Sequence, residues 1–272
     1  GTTALEDITS GDENIAIGVN TLTAETAGNK TIAIGGGALA AQNSSSDTDM
    51  FNVAVGYHAG NDITTGVQNT LIGGQAGDAI TDADGNVAIG YNALTTNVLG
   101  HRAVAVGKGA FKTLNFSSST NCNNTAVGNQ TGESVTTAVD VTLIGANAGD
   151  AITDGHNNVA VGQNALGSET RGKSSIAIGN AALGTQNTTS SNHIYNVAVG
   201  HQAGTSITSG STNNVMIGDH AGDAISSSSI QNTCVGSNSG GSISNNSNYN
   251  VCVGNNSGAS LTSNANHNIF IG

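Results

Sequence analysis

Asn52-Val53-Ala54-Val55-Gly56-Tyr57-His58-Ala59-Gly60 is followed by Asn69-Thr70-Leu71-Ile72-Gly73-Gly74-Gln75-Ala76-Gly77 and then by Asn86-Val87-Ala88-Ile89-Gly90-Tyr91-Asn92-Ala93-Leu94. The short run ending on Gly56, Gly73 and Gly90 recurs fifteen times, from Gly18 to Gly272. Successive glycines lie 17, 21, 17, 17, 17, 21, 17, 17, 17 and 21 residues apart, and then four times 18. A unit that short cannot hold a core of its own and must stack on its neighbours. The period therefore predicts an all-β fold, a parallel β-roll or β-solenoid of about fifteen 17–21-residue coils, with residues 1–272 forming one repeat domain. The three 21-residue spacings start at Gly35, Gly107 and Gly179, 72 residues apart, which marks a higher-order unit of four coils with one enlarged loop.

The residue before each repeat glycine is Ile or Val in every copy, and the residue three before it is Ile, Val or Thr. β-Branching favours extended backbone, and positions two apart share a face, so this pair is expected to point into the coil as two stacked ladders. The residue between them then faces the other way. It is apolar in every copy, at Ala16, Ala54, Leu71, Ala88, Ala126, Leu143, Ala160, Met216 and Phe270 among others. A strand that is dry on both faces must be covered on both faces. With no helical segment to supply the cover, sister copies of the chain packed around a common axis are expected there; the competing reading is alanine tolerated on an exposed face. Asn precedes the strand in eleven of fifteen copies and is expected to form a hydrogen-bonded ladder at the corner. A small residue three past each glycine predicts a tight bend, and the alternation of Gly with Leu or Phe one position later, before a further apolar residue in the Gly-type copies, predicts a return strand.

Charged residues are 9% of the chain and the net charge is −12, so nucleic-acid backbone binding is excluded as a partner class. No stretch approaches the ~20 apolar residues of a membrane helix. The start at Gly1-Thr2-Thr3 and the stop directly after Ile269-Phe270-Ile271 lead us to expect a piece of a longer chain. Cys234 and Cys252 occupy equivalent places in adjacent coils and are expected as stacked thiols, not a bridge. No cofactor, metal or catalytic constellation is read from the sequence. The seven His are scattered in turns without HxH or HExxH spacing, and Asp82-Ala83-Asp84-Gly85-Asn86 lacks the rest of a calcium loop. The enlarged loops are the candidate contact sites, through Asn43, Asp47, Asp49 and Phe51, through Asn115, Phe116 and Asn121, and through Asn187, His193 and Tyr195. Equally open is that they are spacers tucked down by Met50-Phe51 and Ile194-Tyr195.

The repeats 52–60, 69–77 and 86–94 resemble the head repeats of trimeric autotransporter adhesins and, more closely, the longer repeats of phage tail fibres of the marine cyanophage type. The resemblance covers nearly the whole chain and implies a left-handed solenoid that trimerises. What it implies for function is a non-catalytic structural shaft and host-recognition segment of a viral tail fibre, with itself and a host cell-surface glycan or protein as partners. The alternatives are the head of a bacterial trimeric surface adhesin and, more remotely, an ice-binding solenoid prompted by Thr208, Ser226, Ser244 and Thr262.

Overall fold

The computed structural model describes residues 1–272, which divide into two compact units, Gly1–Thr137 and Ala138–Gly272. Both units are parallel β-solenoids without helices, so no helix is long and apolar enough to cross a membrane. In the first unit the coil strands are Ile15–Ile17, Ile32–Ile34, Val53–Val55, Thr70–Ile72, Val87–Ile89, Val104–Val106 and Thr125–Val127. Each pairs with the next in parallel, and the repeat sets the register: Ala54 sits beside Leu71, and Leu71 beside Ala88. The second unit repeats this from Thr142–Ile144 to Ile269–Ile271, with Ala160 beside Ala177 and Cys234 beside Cys252.

The strand faces are the reverse of the sequence expectation. Ala54, Leu71, Ala88, Ala126, Leu143, Ala160 and Met216 are fully buried within the coils of the single chain. Ala16 is half-buried and Phe270 is exposed, both in end coils. The flanking β-branched pair faces outward instead; Ile72, Ile144, Ile178 and Ile217 are each 38–40% exposed. The assignment of the alanine series to a shared axis is therefore corrected. A 17-residue coil is narrow, and an inward alanine leaves room for a large side chain arriving from the opposite wall.

Those side chains come from the turns. Coils with alanine on the strand and alanine again on the next strand carry a buried Leu or Phe, such as Leu39, Leu94, Phe111 and Leu166, at a left-handed turn position. Where the strand residue is large, glycine replaces that Leu. A Cβ built on Gly60 or Gly77 would lie 2.6 or 2.7 Å from a Leu71 methyl. Gly149 stands in the same way to Leu143, and Gly204 and Gly222 to Met216. Leu71 and Leu143 thus fill space that paired glycines vacate.

The expected return strand is not formed. Beyond the coil strand each turn is built from left-handed residues, with ladder hydrogen bonds such as Gln75 N–H to Tyr57 O and Gly77 N–H to Ala93 O linking one coil to the next. Only the enlarged loops add pairs of two residues, Thr48–Asp49 against Gly28–Asn29 and Thr120–Asn121 against Gly100–His101. Left-handed backbone at several places per coil suits turns and breaks a second extended run.

The asparagine ladder forms as expected. Asn52 Oδ1 accepts from the Asn69 backbone at 2.9 Å, Asn69 Oδ1 accepts from Asn86, and the series resumes from Asn196 through Asn214, Asn232 and Asn250 to Asn268. A feature absent from the sequence reading sits beside it. Glu25 is fully buried, and its Oε1 accepts from the N–H groups of Thr26, Ala27, Gly28 and Ser44, while Oε2 accepts from Gln42 Nε2 at 2.8 Å. Gln42 Oε1 in turn accepts from Asn52 Nδ2. Glu169, Gln186 and Asn196 repeat the network 144 residues on. At the intermediate place Asn97 and Leu114 stand instead; Asn97 Nδ2 donates to Gly100 O, and Asn86 Nδ2 is left without a partner. These networks anchor the base of the first and third enlarged loops, since Ser44 and Thr188 both donate their backbone N–H to the buried carboxylate.

Candidate functional site

The enlarged loops carry one residue inward and the next outward. Met50, Cys122 and Ile194 are equivalent and buried; Phe51 and Tyr195 follow them, exposed and in left-handed backbone. The spacer reading therefore holds for Met50 and Ile194, and Phe51 and Tyr195 stay on the surface. The Cys122 thiol donates to His101 O.

In the first loop Asp49 meets Lys30 Nζ at 2.6 Å, and the same ammonium lies 5.5 Å from the centre of the Phe51 ring. Asp49 holds the Lys30 ammonium above its usual range, chiefly through that hydrogen bond. Asp47 accepts from Asn29 Nδ2, and Asn43 Oδ1 accepts from Thr26 Oγ1. The structure gathers Asp47, Asp49 and Phe51 around Lys30, while Asn43 is held apart at Thr26.

The second loop departs from expectation at Phe116, which is buried against Gly100 and offers no contact surface. Asn115 and Asn121 are exposed; Asn115 Oδ1 accepts from Val98 N–H, and Asn121 pairs beside His101. In the third loop His193 stacks on Tyr195 with ring centres 5.2 Å apart and an angle of 9°, and its Nδ1 lies 2.9 Å from Ser174 Oγ. Asn187 accepts from Thr170 Oγ1.

A second surface was missed in the sequence. The two residues after each repeat glycine line an edge of the coils, and in the first unit Tyr91, Asn92, Lys108, Lys112, Gln130 and Glu133 enclose a cleft of about 210 Å³. Glu133 accepts from Lys112 Nζ at 3.3 Å and from Gln130 Nε2 at 2.7 Å, which leaves Lys108 as the other cation of the cleft. The signal was available as residues spaced by one coil, 17 or 21 apart, such as Tyr91 and Lys108 or Lys112 and Glu133.

The calcium-like segment is committed to the solenoid itself. Asp82 Oδ1 accepts from the hydroxyls of Thr64 and Thr65, and Asp84 Oδ1 accepts from Val67 N–H. Cys234 and Cys252 are adjacent and unbridged, and the hydrogen bond with the Cys252 thiol, with burial second, pushes the Cys234 thiol upward. Searches against protein-family models, curated proteins and solved structures find no match to this chain.

Proposed function

We propose that this chain is the shaft and host-recognition segment of a viral tail fibre, wound as a left-handed solenoid and assembled as a homotrimer outside the cell. The observation that carries the reading is the outward pair of Ile, Val and Thr on the coil strands. A monomeric soluble protein seldom leaves such a continuous apolar strip to water. Sister chains are a fitting cover, because a strip with the pitch of the coils matches another of the same pitch. On this reading sister chains cover the β-branched pair, not the alanine series for which that cover was expected.

Recognition belongs on this reading to the ring-bearing loop ends at Phe51 and Tyr195, with a cell-surface glycan or protein as partner. Measuring the mass of the native assembly tests the trimer: three copies of the 26.7 kDa chain are expected, and a monomer overturns it. Binding of the trimer to host cells tests the loops. Tyr195→Ala together with Phe51→Ala is expected to weaken adsorption with the mass unchanged, and undiminished adsorption removes the loops as contacts.

A further inference from the structure

His201 is the first residue after Gly200, and Asp219 and His220 are the first two after Gly218, so the 18-residue coil places the three side chains on neighbouring turns. The His220 N–H donates to His201 O at 2.9 Å, which fixes the two backbones against each other. Both imidazole Nδ1 atoms lie 3.0 Å from Asp219 Oδ1, and one donor atom from each residue falls within 4.8 Å of the others. The two rings meet edge to face, with centres 5.1 Å apart and an angle of 69°. Zinc–nitrogen and zinc–oxygen bonds of about 2.0–2.2 Å separate tetrahedral ligand atoms by roughly 3.3 Å, close to the two short contacts seen here. The imidazoles are exposed or half-buried, so side-chain rotation closes the remaining gap without moving the ladder.

A second observation is independent of the geometry. From Ser174 to Gly272 there is no Lys or Arg, and the only acids are Asp219 and Asp223. The sole formal charges of this stretch are therefore gathered at its one His pair, with no ammonium or guanidinium in the stretch to compete with an ion. His220 also acts electrostatically on Asp223, whose carboxyl burial pushes up. Two neutral imidazoles and a carboxylate select borderline transition metals over calcium or magnesium.

We propose that His201, Asp219 and His220 form a site for a divalent transition-metal ion of the zinc class, with solvent at its open positions. An ion bound there ties two successive coils together through side chains, beside the outward strip of the strands. His58 supplies the internal control: it occupies the same turn position as His220, yet it stacks on Tyr57 at 4.1 Å and has no comparable His–Asp grouping.

The test is titration of the full chain with Co²⁺ followed by its visible absorption, and with Zn²⁺ by calorimetry. One ion per chain is expected, with Zn²⁺ displacing Co²⁺ from the same site. His201→Gln, Asp219→Asn and His220→Gln are each expected to weaken binding by about tenfold or more, with an unchanged circular dichroism spectrum. His58→Gln is expected to leave it unchanged. Absence of saturable binding overturns the proposal, as does binding that survives all three substitutions or is lost equally in the His58 variant.

Discussion

Residues in this fold are constrained by what the next coil puts against them. Gly73 has φ +133°, and a Cβ built on it would come within 2.6 Å of Gly90 O, a backbone atom fixed by the Ala93 N–H it accepts and by the Gly90 N–H bond to Ile72 O. Gly73→Ala is therefore expected to destabilise the solenoid by more than the ~1 kcal/mol typical of a point substitution, read as a lowered thermal midpoint. Glu25 is constrained by chemistry instead of space. Glu25→Ala strands the buried N–H groups of Ala27, Gly28 and Ser44 and removes one of the two acceptors of the Gln42 amide, and at ~1–3 kcal/mol for each unsatisfied group the loss is expected to be several kcal/mol. Glu25→Gln is milder, since one amide oxygen still accepts while its NH₂ faces that of Gln42; equal stability of the Ala and Gln variants in chemical denaturation refutes this.

Also at this scale, His156 Nδ1 accepts from Val139 N–H at 3.0 Å, and burial pushes its pKa below the usual value of 6.5, with Lys173 adding to the shift. The folded imidazole thus resists the proton that the unfolded chain accepts. Unfolding then takes up a proton, so stability falls as pH drops below about 6.5. Thermal midpoints measured between pH 7 and 5.5 are expected to decline more steeply in the native chain than in His156→Asn.

At the scale of elements, a coil is defined by the match between its strand residue and its turn residue. Leu71 on the strand requires glycine at the turns of Gly60 and Gly77, whereas Ala88 is matched with Leu94. Leu71→Ala is expected to cost about 2–5 kcal/mol through the cavity it leaves. Gly77→Leu alone introduces a side chain where Leu71 already lies, and overpacking is expected to cost at least about 1–3 kcal/mol. The double variant exchanges one coil type for the other and is expected to recover a large part of both losses. A double-mutant cycle in urea decides it, since additive losses show that the two positions are not packed on each other.

For the molecule as a whole, the outward strip and the sparse charge act together. With 9% charged residues, solubility rests on Ser, Thr and Asn in the turns, and the strands contribute an apolar surface that the proposed trimer covers. Ile178→Asp places a charge on that strip without touching the coil interior, and is expected to shift the native mass to the monomer with the solenoid spectrum kept. Ser118→Asp in the second loop is expected to leave the assembly intact. Ala126→Asp, by contrast, puts a charge inside the coil and is expected to unfold it.

The sequence alone determined the solenoid, its coil lengths, the parallel register, the asparagine ladder and the position of the enlarged loops. All of these follow from period and from residue types that a stacked coil requires, as at Gly73 and Asn52. It could not settle which strand face turns inward, because Val53, Ala54 and Val55 are all apolar and alternation has no phase when both faces are dry. The deciding clue, large Leu71 and Leu143 recurring with Gly77 and Gly149, has meaning only once the turn is known to pack on the strand. Tertiary structure likewise decided that Glu25 is an interior anchor and that Phe116 is hidden. It also brought His201 to His220, since residues one coil apart in sequence become nearest neighbours only when the chain has wound.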